Sequence, residues 1–141
     1  MNKTILPMDL IHLAQQRAAD YPVEGFIRGE GPEKPKVLLI GEAPGNVEVT
    51  ATEDTPFSGR AGIELMKFLE TAQLTRKNTY ITSAFHSRPF KDVLKVNKRT
   101  GEEEVRRYNR KPTRKEMLAH APLTDYEIQS IDAPIILLSG T

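Results

Sequence analysis

Residues that could do chemistry follow the first continuous apolar run of the chain. Residues 37–40 are all apolar, which predicts a strand buried on both faces, and the segment GEAPG at 41–45 comes directly after them. Its two glycines allow a ligand to approach the backbone closely, and its proline stiffens the turn. Glu42 would lie at the floor of a crevice, where a carboxylate can orient or activate a water. The alternative is a tight strand-to-helix turn with solvated glutamates, because the spacing matches neither a dinucleotide-binding nor a P-loop pattern.

An aromatic side chain stands in a turn just before a predicted helix. The segment PFSGRAG occupies residues 56–62, and apolar residues spaced by three predict a helix over 61–72. Phe57 either packs inward as an anchor or offers a stacking platform for a planar ligand such as a nucleobase. Gly59 and Gly62 would allow close approach of the backbone and close packing of the helix.

Polar residues also follow the second predicted strand. Residues 79–85 are rich in β-branched and aromatic side chains, and Ser83, His86 and Arg88 lie at or beyond their end. His86 could be a base, a proton donor or a phosphate contact, or it could be a packing or surface residue. No base or carboxylate partner is identifiable by spacing, so a Ser-His-Asp triad is not supported. The three histidines of the chain lack metal-ligand spacing, and we expect no metal site.

Positive charge is concentrated in one block, although the whole chain carries a net charge of only +1. Residues 85–116 contain eleven Lys or Arg and five Asp or Glu. Within this block, residues 90–108 resemble a charged hairpin that turns at 99–101, or a mobile flap. The block is either a solvated surface or a contact for the phosphate backbone of a nucleic acid. Tyr108 and Phe90 interleave with its cations, which favours nucleic acid.

Helices alternate with apolar strands along the chain. The predicted elements are helices over 8–19, 61–72 and 113–130 and strands over 37–40, 79–85 and 135–138. Thr113 and Glu116 form a capping-box pattern, and residues 46–59 are predicted to be a long polar loop. This order predicts an α/β fold, a three-layer α/β/α sandwich with a central parallel sheet. The apolar run 135–138 predicts a third buried strand. Because the sequence stops soon after it, we expect either an edge strand or a fragment of a longer protein.

Composition excludes several classes of site. The chain has 141 residues, of which 38% are apolar, and this length suits one domain. It contains no Cys, which excludes disulfides, a Cys nucleophile, thiolate zinc sites and a Cys-ligated iron–sulfur cluster. No apolar run approaches the roughly 20 residues that a membrane span needs, and the first residues lack the continuous apolar core of a signal peptide, so we expect none. We therefore expect a cytoplasmic protein without a membrane partner.

Several segments together resemble one enzyme family. Their order and register are similar to those of the uracil-DNA glycosylase superfamily, most nearly its family 4 type, and the resemblance covers residues 29–141. The segments that carry it are 41–48 (GEAPGNVE), 56–62 (PFSGRAG), 80–89 (YITSAFHSRP), 109–116 (NRKPTRKE) and 133–140 (APIILLSG).

The resemblance implies excision of uracil from DNA by hydrolysis of the N-glycosidic bond, with the damaged nucleotide flipped out of the duplex. Glu42 would position the attacking water, Phe57 would stack on the flipped base, and Glu48 would shape the wall that rejects the thymine methyl group. The remaining implied contacts are Gly41, Ala43, Pro44, Gly45 and Ser83 to the base and His86, Arg88, Arg110 and Lys111 to the DNA. We expect DNA as the partner and a monomeric protein.

Three departures from the family pattern shape these expectations. Ser83 stands where the family has a base-reading Asn, whose amide can bond two edge atoms of uracil, which a Ser hydroxyl cannot do. The family's cluster-ligating cysteines fall at Ser87 and His120, so we expect no iron–sulfur cluster and no other cofactor. The family's second motif, which contains a His, is absent. We therefore expect residues 1–141 to be a single, C-terminally incomplete domain with a basic hairpin or flap inserted at 90–112.

The residues leave two other functions open. A non-catalytic relative would bind nucleic acid or a nucleotide, which Ser83 and the missing motif favour. A small-molecule hydrolase would reuse the same crevice, which the basic block disfavours.

Overall fold

A computed structural model gives the fold of residues 4–51 and 55–139. Its helices and strands follow the alternation of the sequence. In chain order they are α1 (Met8–Arg17), β1 (Val23–Glu24), β2 (Val37–Gly41), α2 (Asn46–Thr50), α3 (Arg60–Glu70), β3 (Thr79–Ser83), β4 (Arg88–Val96), β5 (Glu103–Asn109), α4 (Arg114–Ser130) and β6 (Ile135–Leu138).

The apolar strand β2 lies in the middle of a three-stranded parallel sheet with the order β3-β2-β6. In its register with β3, Val37 lies opposite Thr79 and Gly41 lies opposite Ser83. Parallel strands bring their carboxyl ends to one edge of the sheet, which is where ligands bind in open α/β folds. The segment after β2 therefore lies beside the segment after β3.

Helices cover both faces of β2, whose five residues are all buried. Leu38 and Ile40 pack on one face in a cluster with Ile131, which directly follows α4, and α1 packs against α4. Leu39 packs on the other face with Leu69 of α3. Alternate side chains of one strand thus enter two helical layers, and the predicted α/β/α sandwich with a central parallel sheet is confirmed.

The start of α4 follows from its capping residues. The Thr113 hydroxyl accepts a hydrogen bond from the Glu116 backbone N–H at 3.2 Å, and the Glu116 carboxylate accepts one from the Thr113 N–H at 2.8 Å. Two backbone donors that would otherwise lack partners are satisfied in this way. The predicted capping box is confirmed.

The charged segment forms a second, antiparallel sheet with the order β1-β4-β5. The hairpin between β4 and β5 turns at 97–102, where the Gly101 N–H donates to the Asn97 carbonyl at 2.7 Å and Gly101 has a φ of +74°. That left-handed conformation suits glycine, because glycine has no Cβ to clash. The predicted hairpin with a turn at 99–101 is therefore present in the structure.

Three local features differ from the sequence prediction. The short strand β1 is not among the predicted elements. Residues 46–59 contain the short helix α2 rather than only loop. Strand β6 is present but is not buried, because it lies at the edge of the sheet and its side chains are 36% to 76% exposed. An apolar run identifies a strand, whereas its burial depends on which elements lie beside it. Among the described residues, no helix has the length and apolar character needed to cross a bilayer.

Candidate functional site

The carboxyl ends of β2 and β3 form the floor of the candidate site. The Ala84 N–H donates to the Gly41 carbonyl at 2.8 Å, and the Phe85 N–H donates to the Glu42 carbonyl at 3.0 Å. These bonds continue the strand pairing beyond Ser83 and hold the two segments side by side. The structure thereby brings together Gly41, Glu42 and Ser83, three of the predicted site residues. Ser83 is buried at this edge, and Glu42 is half-buried.

The ring of Phe57 lies against the backbone of Gly41. A Cβ added to Gly41 would overlap the tip of the ring, so only glycine leaves room for it. The half-buried ring also packs on the cluster that Leu39, Leu69 and Ile81 form between the sheet and α3. Phe57 is therefore anchored by the core while it adjoins the end of β2.

The Phe57 loop is held in an uncommon conformation. Phe57 has a φ of +56°, in the left-handed region that non-glycine residues seldom adopt. The Arg76 guanidinium donates to the Pro56 carbonyl at 2.9 Å and to the Phe57 carbonyl at 3.0 Å. A Cβ on Gly62 would overlap the Phe57 backbone, so α3 packs closely under the loop. Sequence reasoning missed Arg76, because no local spacing links it to a loop about twenty positions earlier in the chain.

Glu48 joins the turn after β2 to the Phe57 loop. One oxygen of its carboxylate accepts a hydrogen bond from the Gly45 N–H at 2.9 Å, which caps α2. The other oxygen is buried, has no hydrogen-bond partner among the described residues and adjoins Gly59, where an added Cβ would lie 2.5 Å away. A buried carboxylate oxygen without a donor can accept a hydrogen bond from a ligand. Glu48 stands three residues after Gly45, and this capping spacing is the sequence signal that could have predicted the start of α2.

Ala43 and Pro44 complete the turn after β2. Ala43 packs on a core cluster that contains Phe85, and Pro44 is buried. Both residues therefore fix the turn from beneath. The predicted base-binding residues thus converge at one edge of the sheet.

The structure gives His86 a different place from the predicted DNA contact. Its side chain is 1% exposed, its Nδ1 donates to the Ile27 carbonyl at 2.8 Å, and its ring stacks on Phe26. Burial lowers the pKa of His86 to about 4. A neutral imidazole enclosed in the core is a packing residue, so the fold leaves it no direct contact with a DNA phosphate.

Two predicted DNA contacts are instead engaged in ion pairs within the protein. The Arg88 guanidinium, only 3% exposed, donates at 2.6 Å to Glu24 and at 2.6 Å to the Asn109 side-chain oxygen. Arg110 donates to both oxygens of Glu116 at 2.7 and 2.8 Å, and this bonding lowers the pKa of Glu116. Arg88 and Glu116 are both buried, and a buried charged group needs its partner, so both arginines are engaged within the fold. Lys111 is exposed.

Glu127 of α4 is a buried carboxyl group that sequence reasoning did not single out. It accepts hydrogen bonds from the Tyr80 hydroxyl at 2.6 Å and from the Thr82 hydroxyl at 2.7 Å, and it lies 3.6 Å from His86 Nε2. Burial raises the pKa of Glu127 to about 7, against the opposing effect of the two hydroxyl donors. The group ties α4 to the face of β3 opposite α3.

The positions that correspond to cluster cysteines in the resembled family do not fit an iron–sulfur cluster. The chain has no Cys, Ser87 is buried, and the His120 ring stacks on Phe85 with ring centres 4.2 Å apart. His120 Nδ1 accepts the backbone N–H of His86 at 3.0 Å. Packed rings and a hydrogen bond occupy this region. Across residues 4–51 and 55–139 no group of three or more His, Asp or Glu has a metal-binding arrangement.

Comparisons with known proteins point to one family. The family model described as "Uracil DNA glycosylase superfamily" matches residues 28–141. The chain is 33% identical over 115 residues to the "Type-4 uracil-DNA glycosylase" of Saccharolobus solfataricus, covering 81% of this chain and 44% of that protein. The identically named protein of Archaeoglobus fulgidus is 39% identical over 64 residues, or 45% of this chain and 31% of the relative. That of Sulfurisphaera tokodaii is 31% identical over 115 residues, with 81% and 44% covered.

The chain thus spans less than half the length of these relatives. The residues that the family model matches nevertheless include both strand ends that form the site. The chain belongs to the uracil-DNA glycosylase superfamily.

Proposed function

We propose that this protein hydrolyses the N-glycosidic bond of uracil, or of another deaminated base, flipped out of DNA. The observation that carries the proposal is the Phe57 ring against Gly41, beside Ser83, at the carboxyl edge of the sheet. An aromatic ring next to backbone that carries no side chain is a suitable slot for a planar base. Family membership and the names of the three relatives support the same reaction.

Each site residue has a role in this proposal. Phe57 stacks on the base, the backbone from Gly41 to Gly45 and the Ser83 hydroxyl bond its polar edge, and the free oxygen of Glu48 faces its remaining side. Burial of these groups strengthens their interaction with a base, because little water competes for the hydrogen bonds.

Glu42 acts on the attacking water. The carboxylate accepts a hydrogen bond from the water, and the water oxygen bonds to the sugar C1′ while the bond from C1′ to the base nitrogen breaks. The electron pair of that bond leaves with the base and the water proton passes to the carboxylate or to solvent. The departing base then takes up one proton from solvent, and the products are a free base and an abasic site. Such general-base assistance contributes about 10²- to 10⁴-fold to a rate.

Base release from oligonucleotides tests the proposal. Wild type, Glu42→Gln and, as a matched exposed control, Glu64→Gln would be incubated with single- and double-stranded DNA containing uracil or hypoxanthine, using protein expressed from the whole gene. We expect release by the wild type and the control and a loss of about 10²-fold or more in Glu42→Gln. Absence of release from every substrate, or equal activity in all three proteins, contradicts the catalytic proposal.

Ser83 favours a second candidate, a non-catalytic relative that binds nucleic acid or a nucleotide. A single hydroxyl cannot bond two edge atoms of uracil at once, so it discriminates among bases less than an amide would. Salt-dependent DNA binding without base release, in both the wild type and a Ser83→Asn variant, would support this candidate. Release of uracil by Ser83→Asn alone would show that residue 83 limits catalysis.

Several broader assignments stay predictions. We propose DNA as the partner of this protein, a monomeric state and a cytoplasmic location. We also propose that residues 1–141 form one domain in which the hairpin at 90–112 is an insertion. No cofactor enters the proposed reaction.

A further inference from the structure

The β4–β5 hairpin has two faces that differ in charge. Residues opposite one another in an antiparallel pair share a face, and successive residues along a strand alternate between faces. The register pairs Lys91 with Tyr108 and Lys95 with Glu104. One face, here named the cationic face, therefore carries Lys91, Val93, Lys95, Glu104, Arg106 and Tyr108.

The cationic face is open to solvent. Every residue of β5 is exposed, and so are Lys91 and Lys95. Lys95 Nζ lies 5.9 Å from the centre of the Tyr108 ring, which places a cation beside an aromatic face. Glu104 lies 3.4 Å from Arg106, and an exposed pair at that distance contributes little energy. Three cations against the one carboxylate of Glu104 give this face a net positive charge.

The arginine of the opposite face is paired within the protein. Arg107 donates to both oxygens of Asp92 at 2.8 and 3.0 Å and to Glu24 at 2.9 Å, and its guanidinium lies 3.6 Å from the centre of the Phe90 ring. Farther out, this face carries the exposed apolar side chains of Leu94, Val96 and Val105. Its ion pairs tie the hairpin to β1 and orient it, so the positive charge points the other way.

The root of the hairpin touches the candidate site. Arg88 donates to the side-chain oxygens of Asn109 at 2.6 Å and of Asn46 at 3.2 Å, and Asn46 begins α2 directly after Gly45. The Asn109 amide nitrogen lies 2.9 Å from the point where a Cβ on Gly45 would be. Asn109 ends β5 on the opposite face, and Tyr108 of the cationic face precedes it, so both faces of the hairpin begin beside the turn that would hold the base.

We propose that the cationic face binds the phosphate backbone of duplex DNA next to the flipped nucleotide. This inference rests on the proposed function, and it moves the DNA contact from Arg88 and Arg110, which are engaged within the protein, to Lys91, Lys95 and Arg106. Phosphate contacts position a protein on DNA without reading sequence, which suits an enzyme that must search for rare bases.

Salt-dependent binding to a uracil-free duplex tests the proposal, because no base release is then needed. A triple variant that replaces Lys91, Lys95 and Arg106 by Gln would be compared with the wild type by fluorescence anisotropy. The matched control removes three exposed cations near the opposite, amino-terminal edge of the parallel sheet and replaces Lys34, Lys36 and Lys77 by Gln. Thermal unfolding of all three proteins verifies that the fold is kept.

We expect the cationic-face variant to lose about tenfold or more in affinity at about 0.1 M salt and to lower the slope of log K against log salt by about 2 to 3. The control should lose less than about threefold. Unchanged binding by the cationic-face variant, or equal losses in both variants, overturns the proposal. Loss of binding in that variant alone, together with no uracil release by the wild type, would contradict the proposed catalysis and leave the DNA-binding face supported.

Discussion

The Phe57 ring occupies the space that a side chain on Gly41 would need. Gly41 ends the buried strand β2, and Phe57 belongs to a loop that packs on the face of the sheet covered by α3. The glycine is therefore required for room rather than for an unusual backbone angle. This contact fixes the position of the Phe57 loop relative to the end of β2.

The contact between Gly41 and Phe57 predicts energetic coupling. Gly41→Ala should lower the free energy of unfolding by about 1 to 3 kcal/mol, because the ring must leave a packed position. In a Phe57→Leu background, which lacks the ring tip, the loss of unfolding free energy caused by Gly41→Ala should be smaller by about 1 kcal/mol. Chemical denaturation of the four proteins of this double-mutant cycle measures the difference, and additive effects would show that the two residues do not interact.

Arg76 is predicted to hold Phe57 in its left-handed conformation. Arg76→Lys should destabilise the fold by about 1 to 3 kcal/mol, because an ammonium cannot donate to both carbonyls as a guanidinium fork does. The chain has no Trp, so Phe57→Trp supplies a single fluorescent reporter. In that background Arg76→Lys should shift the emission to the red, and the exposed neighbour change Lys77→Gln should not. An unshifted spectrum in Arg76→Lys would contradict the clamp.

His120 predicts a loss of stability in acid. Its pKa is lowered from 6.5 to about 3, first by burial and then by neighbouring His86. Below pH 6.5 His120 therefore binds a proton in the unfolded chain but stays neutral in the folded protein. The free energy of unfolding consequently falls as the pH falls. Relative to His120→Gln, which keeps an acceptor for the His86 N–H, the wild type should lose about 2 kcal/mol more between pH 7 and pH 5. Parallel curves of unfolding free energy against pH would contradict this assignment.

Glu127 predicts a pH dependence of the opposite sign. Its pKa is raised from 4.5 to about 7, so between these values the unfolded chain releases a proton that the folded protein keeps. The stability that Glu127 contributes is complete below pH 4.5 and is lost as the pH rises through 7. Urea unfolding should show the wild type losing about 2 to 3 kcal/mol relative to Glu127→Gln between pH 4.5 and 7. A difference that stays constant over this range would place the ionised carboxylate in the folded protein.

Arg110 is predicted to stabilise the fold rather than to bind DNA. Glu116 is 1% exposed, so Arg110→Gln would leave a buried carboxylate without its cation and cost about 3 kcal/mol of stability. The exposed neighbour change Lys115→Gln should cost less than about 0.5 kcal/mol. DNA affinity of the folded Arg110→Gln protein should keep the salt slope of the wild type. A slope lowered by about 1 would instead make Arg110 a phosphate contact.

Much of the framework could be predicted from local sequence. The apolar run at 37–40 predicts a strand buried on both faces, Thr113 and Glu116 predict the start of α4, and alternating elements predict a parallel sheet whose strand ends bring Gly41 and Ser83 together. These features follow from residue types a few positions apart, which is the range over which hydrogen-bonding caps and side-chain periodicity act. The family resemblance likewise depends only on the order of short motifs.

The remaining features depend on contacts between distant parts of the chain. The clamp of Arg76 on Phe57 spans about twenty positions, the burial of His86 depends on Phe26 and Ile27, and the exposure of β6 depends on its place at the sheet edge. Residue type alone could not distinguish an arginine on the surface from one paired with a buried carboxylate. The sequence by itself determined most of the helices and strands and the motif that ends β2. The tertiary structure decided which cations are engaged in ion pairs and which are exposed, because burial and charge pairing are properties of neighbours in space.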